Sequence, residues 1–270
     1  MLKQWLKVTE RKPCPYVFTI VDVSERQSPN PKLKKYLAKH VVSSYRNLSY
    51  LKFIFKSKPQ RDLEDYIKNS VLASTKGQIG KNVAQGDFGE ILAELVATYF
   101  YGLEVPLKKL RWKFNKDRST FCTDMIAHNK GANIADVYYY EVKTRLRIRK
   151  ETVNGVSGHV TVNAHNALLK DQQASFSAIA DFLSRLYYEI GLYDKAKTYN
   201  DLAANPLGYS NHYELFFVIN RPSFMTQILD DLHNLPPSLA PLKVTVVLVE
   251  DLGRIILETQ KLAQSVSFQG

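Results

Sequence analysis

Residues 214–219 and 243–249 are two short, almost uninterrupted apolar runs rich in Val, Leu, Ile and Phe. Runs this short and this apolar predict strands buried on both faces, which requires helices on both sides of a sheet. The rest of the pattern supplies them. Apolar side chains recur at helical spacing over 87–101 (Phe88, Leu92, Leu95, Val96 and Tyr99, with Gly102 as stop signal), over 165–190 and over 251–263. Strands are predicted over 107–114, 121–128 and 134–146, and residues 153–162, with Gly155 and Gly158, read as a hairpin or exposed loop. The expected class is α/β, a mixed central β-sheet flanked by helices.

The first 80 residues read as a separate basic α+β region, followed by a main domain over 81–270. Within the leader the predicted elements are a strand over 16–21, a breaker at Ser28-Pro29-Asn30-Pro31, a helix over 33–44, a strand over 50–56 and a loop over 74–80. Residues 1–60 hold 13 Lys and Arg against 3 Asp and Glu, whereas residues 151–270 are net acidic. Clustered positive charge of this kind suits a polyanion, because each phosphate neutralised releases counterions. The chain has no apolar run of the roughly 18 residues a membrane span needs and no basic amphipathic terminus, so no membrane partner is expected. The start lacks an apolar signal core, and Cys14 and Cys122 stand far apart without a second pair, which points to a reducing, cytoplasmic setting.

Chemistry concentrates in Thr123-Asp124 and Tyr138-Tyr139-Tyr140-Glu141-Val142-Lys143. Side chains alternate along a strand, so Val137, Tyr139, Glu141, Lys143 and Arg145 share one face, polar at its far end, while Tyr138, Tyr140, Val142 and Leu146 share a core face. A hairpin whose turn is centred near Ala132 and Asn133 sets Asp124 opposite Glu141, close enough for two carboxylates to share a divalent ion; a slip of one residue would remove Asp124 from that face. Asp124, Glu141 and the Val142 carbonyl are hard oxygen donors suited to Mg²⁺, with Mn²⁺ as a workable substitute. Lys143 is then placed to orient an attacking water or offset transition-state charge. Arg145, Arg147 and Arg149 alternate beyond it, either as a phosphate track or as a charged strand edge. The three tyrosines fit strand packing better than base stacking, and His128-Asn129 and His165-Asn166 lack the spacing of a zinc site.

The segment 86–190, a helix, an Asp-bearing strand, a Glu-x-Lys strand and another helix, resembles the PD-(D/E)XK nuclease superfamily. That resemblance implies a restriction-endonuclease-like core, catalytic Asp124, Glu141 and Lys143, and a further metal ligand, Glu90, from the first helix, with Glu94 one turn on. Helical phase sets both glutamates opposite the apolar centre, where a solvated face is the other reading. Thr123 stands where the motif carries Pro, and no Gln-x-x-x-Tyr follows, although Gln172 and Gln173 do. From Gly86-Asp87-Phe88-Gly89-Glu90 through Glu141-Val142-Lys143, on a chain of this length with a basic N-terminal third, the sequence is similar to the HamA family, nuclease subunits of Hachiman anti-phage systems. That similarity implies DNA as substrate and a helicase subunit, HamB, that restrains the nuclease until foreign or aberrant DNA is sensed. A non-catalytic nucleic-acid-binding or regulatory subunit that docks a helicase, and a protein-interaction module docking through the acidic C-terminal part, are the alternatives.

Overall fold

The two apolar runs lie side by side at the centre of one six-stranded sheet. The computed structural model describes residues 1–12, 14–117, 123–131, 133–153, 156–171, 176–205, 207–236 and 238–267. In chain order the elements are α1 (Leu2–Trp5), β1 (Leu6–Glu10), β2 (Thr19–Glu25), α2 (Pro31–Tyr45), α3 (Leu48–Ile54), α4 (Gln60–Tyr66), α5 (Gly77–Tyr99), β3 (Met125–His128), β4 (Asp136–Arg145), the small hairpin β5 (Glu151–Val153) and β6 (Val156–Gly158), α6 (Val160–Asp171), α7 (Phe176–Glu189), α8 (Tyr193–Ala204), β7 (Ser210–Asn220), α9 (Gln227–His233), β8 (Leu242–Val249) and α10 (Leu252–Gln264). The sheet order is β1-β2-β8-β7-β4-β3. The inner four strands run parallel, and β1 and β3 are antiparallel edges. Strands from the basic N-terminal region thus belong to the same sheet as β4.

Alternation along β7 divides the core. Phe216 and Val218 face one side with Tyr140 and Val142 of β4, under α2, α5 and α10; Leu215, Phe217 and Ile219 face the other with Val137 and Tyr139, under α6, α7 and α9. Both faces of β4 are therefore packed, one along its length and the other up to its polar far end at Glu141, Lys143 and Arg145, as the alternation predicts. Only the C-terminal end of β4 opens to a cleft, because β3 begins at Met125 and leaves residues 142–145 paired on one edge alone. No helix is long and apolar enough to cross a membrane among the described residues.

Several boundaries differ from the sequence pattern for identifiable reasons. Residues 50–56 lie in and just past α3 instead of a strand: the Asn47 side chain accepts hydrogen bonds from the Ser49 and Tyr50 N–H groups and starts a helix. Residues 107–114 contain a short 3₁₀ turn, Lys109–Trp112, because their cations reach for acids on α5. Helix α5 starts ten residues before the predicted Asp87, and Gly80 lets its first turns approach Ser74, whose carbonyl oxygen would lie 2.1 Å from an added Cβ. The predicted helix over 165–190 is two helices, α6 and α7, with α6 beginning at Val160. Residues Phe121, Cys122, Gln172 and Gln173 fall outside the described residues. Gly102 follows α5 with φ +71°, a conformation glycine takes without steric cost.

Candidate active site

The β3–β4 ladder runs from His128↔Val137 to Met125↔Tyr140. Continuing the register by one pair sets Asp124 opposite Glu141, at the point where β3 ends and the edge of β4 becomes free. There Asp124 Oδ2 accepts a hydrogen bond from the Val142 N–H at 2.9 Å. The N–H and C=O of one strand residue point to the same neighbour, so the Val142 carbonyl faces the open edge beside Asp124. Glu141 is only 5% exposed, and Lys143, on the same face, donates to its carboxylate.

Helix α5 closes the other side. It packs on β4 at Gly89, where an added Cβ would lie 1.9 Å from Thr144 Oγ1, so any larger residue would push the helix off the strand. That approach brings the next residue, Glu90, to the cleft. Asp87, Glu90 and Glu94 occupy successive turns of one helix face, and that face is covered by the strap 108–113. Lys108 pairs with Glu94. Lys109 Nζ lies 3.1 Å from Asp124 Oδ1 and 3.8 Å from Glu90 Oε2. Lys113 Nζ lies 2.6 Å from both Asp87 oxygens, with the Tyr45 hydroxyl donating to the same carboxylate. Arg111 donates to the Ser43 carbonyl of α2 at 3.0 and 3.2 Å. Glu90 and Glu94 are thus covered by lysines, with side chains 18% and 19% exposed, and form no solvated helix face.

Electrostatics follow from this crowding. Burial pushes the Glu90 carboxyl up to about 8; Lys109 opposes the shift, while Asp124 and Asp87 add to it. Burial disfavours the charge on Lys109, but Glu90 and Asp124 more than offset it and raise its pKa; Glu141 and Asp124 do the same for Lys143 against its own burial. Asp87 is raised by burial despite Lys113.

The cleft has a volume of about 850 Å³, and Glu90, Asp124, Lys143, Arg145, Arg147 and Arg149 all line it. The arginines do not form one continued strand, since β4 ends at Arg145. Arg145 is committed to Glu151 through two hydrogen bonds of 2.8 and 2.9 Å, whereas Arg147 and Arg149 are exposed and make no ion pair among the described residues. The histidines stand apart. His128 is buried, with Nδ1 2.8 Å from the Asn129 carbonyl and Nε2 2.7 Å from the Tyr199 hydroxyl, and His165 is buried beneath the opposite face at a separate hollow.

Glu90, Asp124, Glu141 and the Val142 carbonyl are hard oxygen donors, the chemistry that fits Mg²⁺. Among the described residues no three His, Cys, Asp or Glu side chains make a ready ligand group; instead each of the three carboxylates has an ammonium against it. Lys109 is the residue that sequence reasoning missed. Its signal was the spacing of Lys108, Lys109 and Lys113 against Asp87, Glu90 and Glu94, which becomes visible only once the segment is read as a strap instead of a strand.

Comparison with known proteins adds one finding. No curated protein matches the sequence, but the family model described as HamA matches residues 1–257 of the 270. The chain belongs to the HamA family of Hachiman anti-phage defence proteins.

Proposed function

We propose that this chain is a Mg²⁺-dependent nuclease of the PD-(D/E)XK type that hydrolyses DNA phosphodiester bonds, the effector of a defence complex held in check by a helicase partner. The observation that carries this reading is the register of β3 and β4, which sets Asp124 opposite Glu141 with Lys143 on the same face of β4, at the mouth of a basic cleft. Asp124, Glu141 and the Val142 carbonyl would hold the ion, with Glu90 approaching from α5. A bound divalent ion supplies charge neutralisation at the scissile phosphate and a more acidic water. Lys143, oriented by Glu141, orients the attacking water or offsets charge developing on the phosphate. Arg147 and Arg149 neutralise neighbouring phosphates along the cleft and carry no sequence information. DNA as substrate and a helicase as partner rest on family membership, which supports a defence role for the chain.

The rival reading, a non-catalytic nucleic-acid-binding subunit, is favoured by one observation: the lysines already satisfy the carboxylates, as structural ion pairs do. Incubation of supercoiled, linear and single-stranded DNA with the protein and Mg²⁺, alone and with its helicase, decides between them. Cleavage is expected to need the metal and to fall by at least about 10²-fold in Glu141→Ala and Lys143→Ala. Unchanged cleavage in both variants would discard this site, and intact DNA under every condition, with binding retained, would favour the rival.

A further inference from the structure

We propose that Lys109 is a further functional residue of this site: a built-in cation that occupies the space between Asp124 and Glu90, which a divalent ion must displace in order to bind. This rests on the metal-dependent reading above. The geometry is specific to this lysine. Lys143 belongs to Glu141 on its own strand, while Lys109 reaches across from a different segment to touch both Asp124 and Glu90. Its side chain is only 13% exposed, so the ammonium is held inside the site and not in solvent. It also approaches the Thr123 carbonyl at 3.4 Å, adding an oxygen of the kind hard cations take.

Charge counting favours the competition. With all three carboxylates ionised, as ligation of a divalent ion requires, Asp124, Glu90 and Glu141 face Lys109 and Lys143, and the group is one negative charge from neutral. Adding a divalent ion beside both ammoniums would leave an excess of positive charge within a few ångströms; adding it with Lys109 withdrawn gives a neutral group. The strap itself need not move. Lys108 on Glu94, Lys113 on Asp87 and Arg111 on the Ser43 carbonyl anchor it on either side, and the four-carbon stem of lysine can swing its ammonium away by rotamer changes alone. The isolated chain thus carries its own brake on metal loading, set by one side chain.

Calorimetric titration of the full-length protein with Mg²⁺ alone, without DNA, tests this. Wild type is compared with Lys109→Met, with Lys108→Met, which removes the same charge one residue away, and with Lys109→Arg, which keeps it; each variant is first melted to establish folding. Lys109→Gln, still a hydrogen-bond donor to Asp124, replaces the methionine variant if that one unfolds. Binding about tenfold tighter or more is expected in the neutral Lys109 variants, with Lys108→Met and Lys109→Arg within about threefold of wild type, and the gain should vanish when Asp124→Asn is added. Mg²⁺ binding that disappears in Asp124→Asn but is unaltered or weakened in the neutral Lys109 variants overturns the proposal while leaving the metal site standing. Binding indifferent to Asp124→Asn overturns both.

Discussion

Segments 108–113 and 52–58 have nearly the same composition, lysines and an arginine around Trp112 in one, Lys52, Lys56 and Lys58 around Phe53 and Phe55 in the other, and the fold turns them in opposite directions. In the strap each lysine meets an acid, on α5 or at Asp124 just before β3, and Arg111 meets a carbonyl. Beside α3 the three lysines make no ion pair among the described residues, Lys58 lies over the Phe55 ring, and Phe53 is 77% exposed beside a hollow of about 440 Å³. No acid occurs between Glu25 and Asp62 to pair with them. A count of positive charge therefore does not identify a polyanion surface; the availability of acids nearby in space does. The strap's lysines are consumed internally, while those of α3 remain available to phosphates, and the exposed aromatics beside them suit unpaired bases.

Four changes put this contrast to the test. The largest effect is expected from Lys113→Met, which strands the buried Asp87 carboxylate and should cost about 3–5 kcal/mol in a urea melt; a loss below about 1 kcal/mol would show that the strap's pairs are no more structural than surface ones. Replacing Lys52, Lys56 and Lys58 together by Gln should leave the melt nearly unmoved, yet lower the log–log salt slope of single-stranded DNA binding by about 0.7 for each phosphate no longer neutralised, measured in EDTA to prevent cleavage. An unchanged slope would assign DNA binding elsewhere.

A smaller effect is expected from acid. Burial lowers the pKa of His40, His128 and His165, and Lys108 lowers that of His40 further. Below about pH 6.5 the unfolded chain takes up protons that the folded one refuses, so stability present above that pH is lost as pH falls toward the depressed values. The Glu90 carboxyl, pushed up to about 8, acts in the opposite direction over the same range, so the histidine contribution is read by difference. Between pH 7 and pH 5 wild type should lose slightly more melting temperature, or gain slightly less, than Lys108→Met, and equal shifts in the two would contradict the assignment. The smallest change belongs to Arg185→Ala, which removes an exposed i,i+4 pair with Asp181 and should alter stability by under about 0.5 kcal/mol.

Where local pattern and tertiary need agree, the elements were legible. The runs at 214–219 and 243–249 had to be buried on both faces, and they form the core of β7 and β8. The β3–β4 register, Met125 opposite Tyr140, was legible because strand alternation and the short stretch between the two strands leave few alternatives. Misreadings occurred where an interaction outside the window won. Residues 50–56 alternate like a strand, but the Asn47 cap and the single buried side chain, Leu51, favour a helix. The polar early turns of α5 looked like loop because a partner that holds them lies elsewhere in the chain: Gln85 donates to the Thr144 carbonyl of β4 at 2.6 Å.

The α/β class, the buried central strands and the alternation that sets Glu141 and Lys143 on one strand face are written along the chain, since these follow from periodicity and burial within a few residues. Packing between distant segments brings Glu90 to the cleft, through the close approach of Gly89 to Thr144, and sets Lys109 between Glu90 and Asp124. An ion pair between a strap, a helix and a strand depends on how three separate elements pack, and no spacing along one of them encodes that distance.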